Sequence, residues 1–154
     1  MYQRIYDNRK ALTNILFLLY ILAVLSLTFI VRETMVLRTP ENRGVVLQPF
    51  REFEAMVNGM HFFWFKQIFF NVLLFVPFGF LLPMISKHFK NPIIAVTIGC
   101  LFSGMIEIMQ YITGRGLTEV DDVITNTIGA AVGVAMYWIT AFVKGKPTDY
   151  SETA

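Results

Sequence analysis

Charged residues are scarce in this chain. Asp, Glu, Lys and Arg make up only 16% of its 154 residues, against roughly 25% in an average soluble domain. The formal net charge is +2 and the basic residues are scattered, so no nucleic-acid partner is expected. Cysteine is nearly absent: Cys100 stands alone in an apolar run, which leaves no disulfide and no thiolate metal site and suits packing. No His or Cys stands at a metal-ligand spacing with the acids, so no metal ligand is assigned and no cofactor is expected. Internal repeats, low-complexity tracts and Gly/Ser linkers are also missing, and residues 1–154 read as one domain.

What fills the chain instead is apolar: 55% hydrophobic and 15% aromatic residues, with a mean hydropathy of +0.56. These values point to an all-α integral membrane protein. About twenty apolar residues at 1.5 Å per residue cross a hydrocarbon core of roughly 30 Å. Four such runs are predicted, over 11–31, 68–86, 92–113 and 121–143, forming a four-helix transmembrane bundle. Arg4, Arg9 and Lys10 precede the first, but the run is long for a secretory signal and no small-x-small cleavage site precedes Arg32, so an uncleaved anchor is expected.

The first connection mixes Arg32, Arg38, Arg43, Arg51 and Lys66 with Glu33, Glu41, Glu52 and Glu54. Within it Phe50, Phe53, Val57 and Met60 recur at helical spacing, with Arg51, Glu52 and Glu54 on the other side, which predicts a short helix lying in the interface. His61 to Phe65 form an aromatic belt before the second span. That span carries Asn71, Pro77, Gly79 and Pro83, and its prolines predict a kink. Lys87, His88, Lys90 and Asn91 make a tight basic turn, and Pro92 suits the first turn of the next helix.

The chemistry gathers between Ser103 and Gly129. Ser103, Glu107 and Gln110 draw a polar stripe on the third span, Gly114-Arg115-Gly116 reads as a turn, and Asp121, Asp122 and Asn126 open the fourth. A charge at a bilayer centre costs roughly 2.5 to 3.5 kcal/mol, so these groups ask for a reason. Antiparallel alternation places them, with Asn71, at one membrane face. The candidate ligand-binding residues are therefore Asn71, Ser103, Glu107, Gln110, Arg115, Asp121, Asp122 and Asn126. Below them Gly129 and Gly133 form a Gly-x-x-x-Gly that admits another helix closely.

Each part has a structural alternative. Asp121 and Asp122 suit a helix dipole, and Thr118 with Asp121 resembles a capping box. Glu107 and Arg115 pair as a salt bridge, while Gln110 and Asn126 serve as interhelical glue. A pair of acids in different environments could also do acid-base chemistry, but no nucleophile-base-orienter order is readable, and no catalytic residue is named. With four spans both termini share a side. The cations there are Arg4, Arg9, Lys10, Lys87, Lys90, Lys144 and Lys146, against six opposite, and the short basic turns favour cytoplasmic termini.

Three motifs in order carry a family resemblance. They are Asn71-Val-Leu-Leu-Phe-Val-Pro77-Phe-Gly79-Phe-Leu-Leu, then Ser103 through Ile106-Glu107-Ile108-Met109-Gln110, then Gly114-Arg115 followed by Asp121-Asp122-Val-Ile-Thr-Asn126-Thr-Ile-Gly129. From roughly Val46 to Gly133 the chain resembles the VanZ-like family. It departs in two places: Val46 opens Val46-Leu47-Gln48-Pro49-Phe50 where that family tends to carry Asn, and Glu119 stands where Asp is common. The resemblance implies a small multi-pass protein of the bacterial cell membrane, linked to resistance against teicoplanin-type glycopeptide antibiotics.

Three functions follow as expectations. An outward polar pocket would bind a membrane-lipid headgroup, a lipid-linked cell-wall precursor or a lipoglycopeptide. Alternatively, a membrane enzyme would modify such a headgroup. A third reading is a structural or assembly partner, a homo-oligomer included, working through the Gly129 and Gly133 face.

Overall fold

The computed structural model describes residues 2–31, 44–59, 61–114 and 118–145. Helix α1 runs Tyr2–Ser26 and passes into a π-helical turn, Leu27–Val31. A two-residue strand β1, Val45–Val46, and a short helix α2, Arg51–Val57, follow. Helix α3 is His61–Ile85, a 3₁₀ turn spans Lys87–Lys90, and α4 is Pro92–Thr113. Strand β2, Thr118–Glu119, leads directly into α5, Val120–Val143. The four long helices are each apolar and long enough to cross a membrane, and the protein is an all-α membrane bundle with a short helix in its first connection.

Local chemistry explains most boundaries. The Asn91 side chain accepts from the amides of Ile93 at 2.9 Å and Ile94 at 3.4 Å, and Pro92 follows at the first helical position, so α4 starts there. It stops at Gly114, whose φ of 64° is left-handed, as glycine allows. Helix α3 begins seven residues before the expected 68, so the aromatic belt forms its first turn and a half or so rather than preceding it. Nothing between His61 and Ile68 breaks a helix, and exposed Lys66 sets its ammonium over the Phe62 ring, 4.8 Å from the centroid. Pro77 and Pro83 both lie inside this continuous helix.

Polarity is arranged inside out, as a lipid solvent requires. Leu12, Ile15, Leu19 and Leu22 on α1, Leu101, Met105, Ile108 and Ile112 on α4, and Val132, Met136 and Ile139 on α5 all face outward. Ser103, Glu107, Gln110, Asp121, Asp122 and Asn126 are buried. Helices α3 and α5 form the central pair, with α4 against α5 and α1 laid chiefly on α3. Glycine permits the central contact: a Cβ on Gly79 would fall 1.9 Å from the Ala130 carbonyl oxygen, on Gly129 2.2 Å from that of Val72, and on Gly133 2.0 Å from that of Val76. The Gly-x-x-x-Gly face is thus covered by the chain's own second span, and an assembly partner would have to displace α3 to use it. Phe75 and Phe78 fill the core beside this seam, and α1 joins it through Phe17, 5.5 Å from Phe78, and through the Tyr20 hydroxyl, which donates to the Leu74 carbonyl at 2.6 Å.

Candidate functional site

The polar groups stack in layers towards one end of the bundle. Deepest is a bond between α5 and α4, in which the Asn126 amide donates to Ser103 Oγ at 2.9 Å. Its Oδ1 is buried without a hydrogen-bond partner among the described residues. Next, Asn71 on α3 donates to Asp122 Oδ1 on α5 at 2.6 Å, joining the central pair above its glycines. On α4, Glu107 Oε2 accepts from the Glu119 amide at 2.9 Å, and the Thr118 hydroxyl donates to the Glu107 carbonyl at 3.2 Å. Gln110, with its amide nitrogen towards Glu107, reaches both carboxylate oxygens at 3.1 and 3.3 Å. A carboxylate that accepts backbone and amide donors is tolerable in a low dielectric where a bare one is not.

The top layer comes from the first connection. Strand β1 pairs in parallel with β2, Val45 opposite Thr118 and Val46 opposite Glu119, which draws residues 45–57 over the end of the bundle. Asp121 then takes the amides of Phe50 at 2.5 Å and Glu52 at 2.8 Å on its two oxygens, so the carboxylate caps α2 across space. Asp121 is therefore engaged in structure, and Thr118 bonds Glu107 instead of closing a capping box. Phe50 itself sits at φ 63°, a left-handed conformation that a bulky side chain rarely adopts.

Two buried acids went unseen in the sequence. Glu52 is 2% exposed and Glu119 5%. The two faces of α2 are as the helical pattern drew them: Phe53 and Val57 point out, as suits lipid, while Glu52 on the other side turns in and its carboxylate accepts from the Gln67 amide. Glu119 meets Arg51 at 3.5 Å, and Arg51 lies over the Trp64 ring at 5.8 Å. The signal for Glu52 was available in its neighbours, since Phe50 and Phe53 flank it in a segment that must lie at a membrane surface. Arg115, the one cation in the expected set, falls outside the described residues, as do Met60 and Lys146.

Glu52, Glu119 and Asp122 are the described residues that could hold a divalent cation. One carboxylate oxygen from each lies within 4.8 Å of the others, and hard cations take oxygen ligands. Like charges this close repel, and the donors Gln67, Arg51 and Asn71 offset that cost.

Two apolar clefts approach the cluster from opposite sides of α3. One of about 440 Å³ lies between α1 and α3, lined by Tyr20, Leu27, Phe70, Leu74 and Pro77 with Asn71 in its wall. The other, about 320 Å³, lies between α2, α3 and α5, with Glu52 and Asp121 among Phe53, Ile68, Ile124 and Ile128.

With this geometry in place, the VanZ/LLP1 family model matches residues 16–142, most of the chain. The chain belongs to the VanZ/LLP1 family. A curated relative, Protein VanZ of Enterococcus faecium, is 36% identical over 77 residues, covering 49% of this chain and 47% of the relative. The VanZ/LLP1 chain described here thus matches about half the length of that relative. No solved structure matches it.

Proposed function

We propose that this chain is a cell-membrane protein linked to glycopeptide resistance of the teicoplanin type, and that it acts by holding an amphiphile with a polar, amine- or hydroxyl-bearing headgroup. Membership of the VanZ/LLP1 family supports the first part. One observation carries the second. Asn71 lines the apolar cleft between α1 and α3 and also donates to Asp122 of the buried carboxylate cluster. A ligand whose tail lies in that cleft brings its headgroup to Asn71 and the acids beyond it, an apolar groove ending in a few convergent polar groups. Asp122 and Glu107 take headgroup donors, Asn71 and Gln110 orient them, and Asp121 holds the α2 roof in place. The termini lie in the cytoplasm and the cluster faces outward, where a lipid-linked cell-wall intermediate or a lipoglycopeptide inserts its acyl tail.

Teicoplanin susceptibility of a strain expressing each variant tests this reading. Glu107→Gln, Asp122→Asn and Asn71→Leu each return susceptibility to that of the empty strain at equal protein level, while Gly104→Ala, whose added Cβ meets nothing within 4 Å, leaves protection intact. Protection unchanged in all three site variants defeats the pocket.

A further inference from the structure

The opposite end of the bundle has the reverse chemistry. There a cleft of about 760 Å³, larger than either apolar one, is lined by Lys10, Lys87, His88, Lys90 and Lys144. These side chains come from three separate places: near the start of the α1 span, the 3₁₀ turn between α3 and α4, and the residue that ends α5. No carboxylate lines the cleft among the described residues. Its wall continues into Pro83, Met84 and Ile85, the last turn of α3.

We propose that this cleft binds the phosphodiester headgroup of an anionic membrane phospholipid, with its glycerol and upper acyl chain against Pro83, Met84 and Ile85. The depth is right. The three spans that frame it, α1, α3 and α5, begin or end there, and the 3₁₀ turn lies outside them, so the ammonium groups stand at headgroup level, each on a stem long enough to reach a phosphate. The charge is right as well, since converging lysines concentrate positive potential that a phosphodiester oxygen neutralises without desolvating a protein acid. A lysine ammonium is a compact point charge without fixed geometry, which suits a mobile headgroup better than a planar one. The site is separate from the carboxylate cluster and does not depend on the function proposed for it.

The test uses the full chain released from vesicles of mixed phosphatidylglycerol and phosphatidylcholine, with retained lipid counted by native mass spectrometry. Phosphatidylglycerol stays bound in preference to phosphatidylcholine. Each lysine near an anionic surface strengthens binding roughly fivefold, so the Lys87→Gln, Lys90→Gln, Lys144→Gln triple variant loses about a hundredfold in affinity. Arginine at the same three positions restores retention, and Lys66→Gln at the far end of α3 has no effect. Equal retention of the two lipids overturns the proposal, as does a glutamine triple variant that folds and keeps its phosphatidylglycerol. Displacement of the lipid by millimolar inorganic phosphate overturns it too, because it marks a soluble phosphate as the ligand. If the glutamine variant fails to fold, the preference of the parent chain and its survival in the arginine variant decide the matter.

Discussion

Asp121 commits both carboxylate oxygens to the amides of Phe50 and Glu52, and this one side chain fixes the roof over the polar cluster. A carboxylate here satisfies two donors that α2 cannot satisfy itself, and it holds Phe50 in a left-handed conformation that costs of order 1–3 kcal/mol. Asp121→Ala orphans both amides at about 1–3 kcal/mol each, and leaves the strained Phe50 turn to the β1–β2 pairing and the Arg51 and Glu52 contacts. The roof detaches while the bundle stays folded. In purified protein, trypsin cuts after Arg51 far faster in the variant than in the parent, with overall helicity unchanged. Equal cleavage rates at Arg51 would falsify the account of Asp121 as a brace. Asp121→Asn gives an intermediate rate, because one acceptor oxygen remains.

At the scale of elements, the seam between α3 and α5 depends on three glycines and tolerates no methyl group. The Cβ of Gly133→Ala lands 2.0 Å from the Val76 carbonyl and 2.7 Å from the Phe80 amide, both backbone, so neither can swing aside. Gly133→Ala therefore lowers the thermal midpoint in detergent by several degrees or blocks accumulation, whereas Gly104→Ala is neutral or slightly stabilising, since alanine is the better helix former by about 1 kcal/mol. A neutral Gly133→Ala would show that α3 and α5 do not meet along this face. Much of this was legible beforehand, because span length and the polar stripe Ser103, Glu107, Gln110 follow directly from hydropathy and helical period. The two faces of α2 were legible too, since a helix lying in the interface turns its apolar side to lipid, but nothing in its period brings Gln67 to the Glu52 carboxylate. The β1 and β2 pairing was equally hidden, since two-residue strands seventy-odd residues apart leave no local periodicity.

Across the whole molecule, the described buried acids collect at one end and a lysine-lined cleft stands at the other, and that asymmetry makes a prediction about orientation. The buried carboxylates of Glu107, Glu119, Asp121 and Asp122 lie under residues 45–57, which add Glu52 to them, while Lys10, Lys87, Lys90 and Lys144 ring the end where the chain turns between α3 and α4. Short basic segments stay in the cytoplasm, whereas a long loop whose cations are accompanied by acids is free to cross. The prediction is that, in a Cys100→Ser background, a cysteine at exposed Leu47 reacts with an impermeant maleimide in intact cells, and one at exposed His88 reacts only after the membrane is opened. The reverse pattern places the carboxylate cluster in the cytoplasmic leaflet. It would remove the outward route by which an amphiphile reaches Asn71, and it would leave the lysine cleft intact but facing the outer leaflet, so a single labelling experiment bears differently on the two proposed sites.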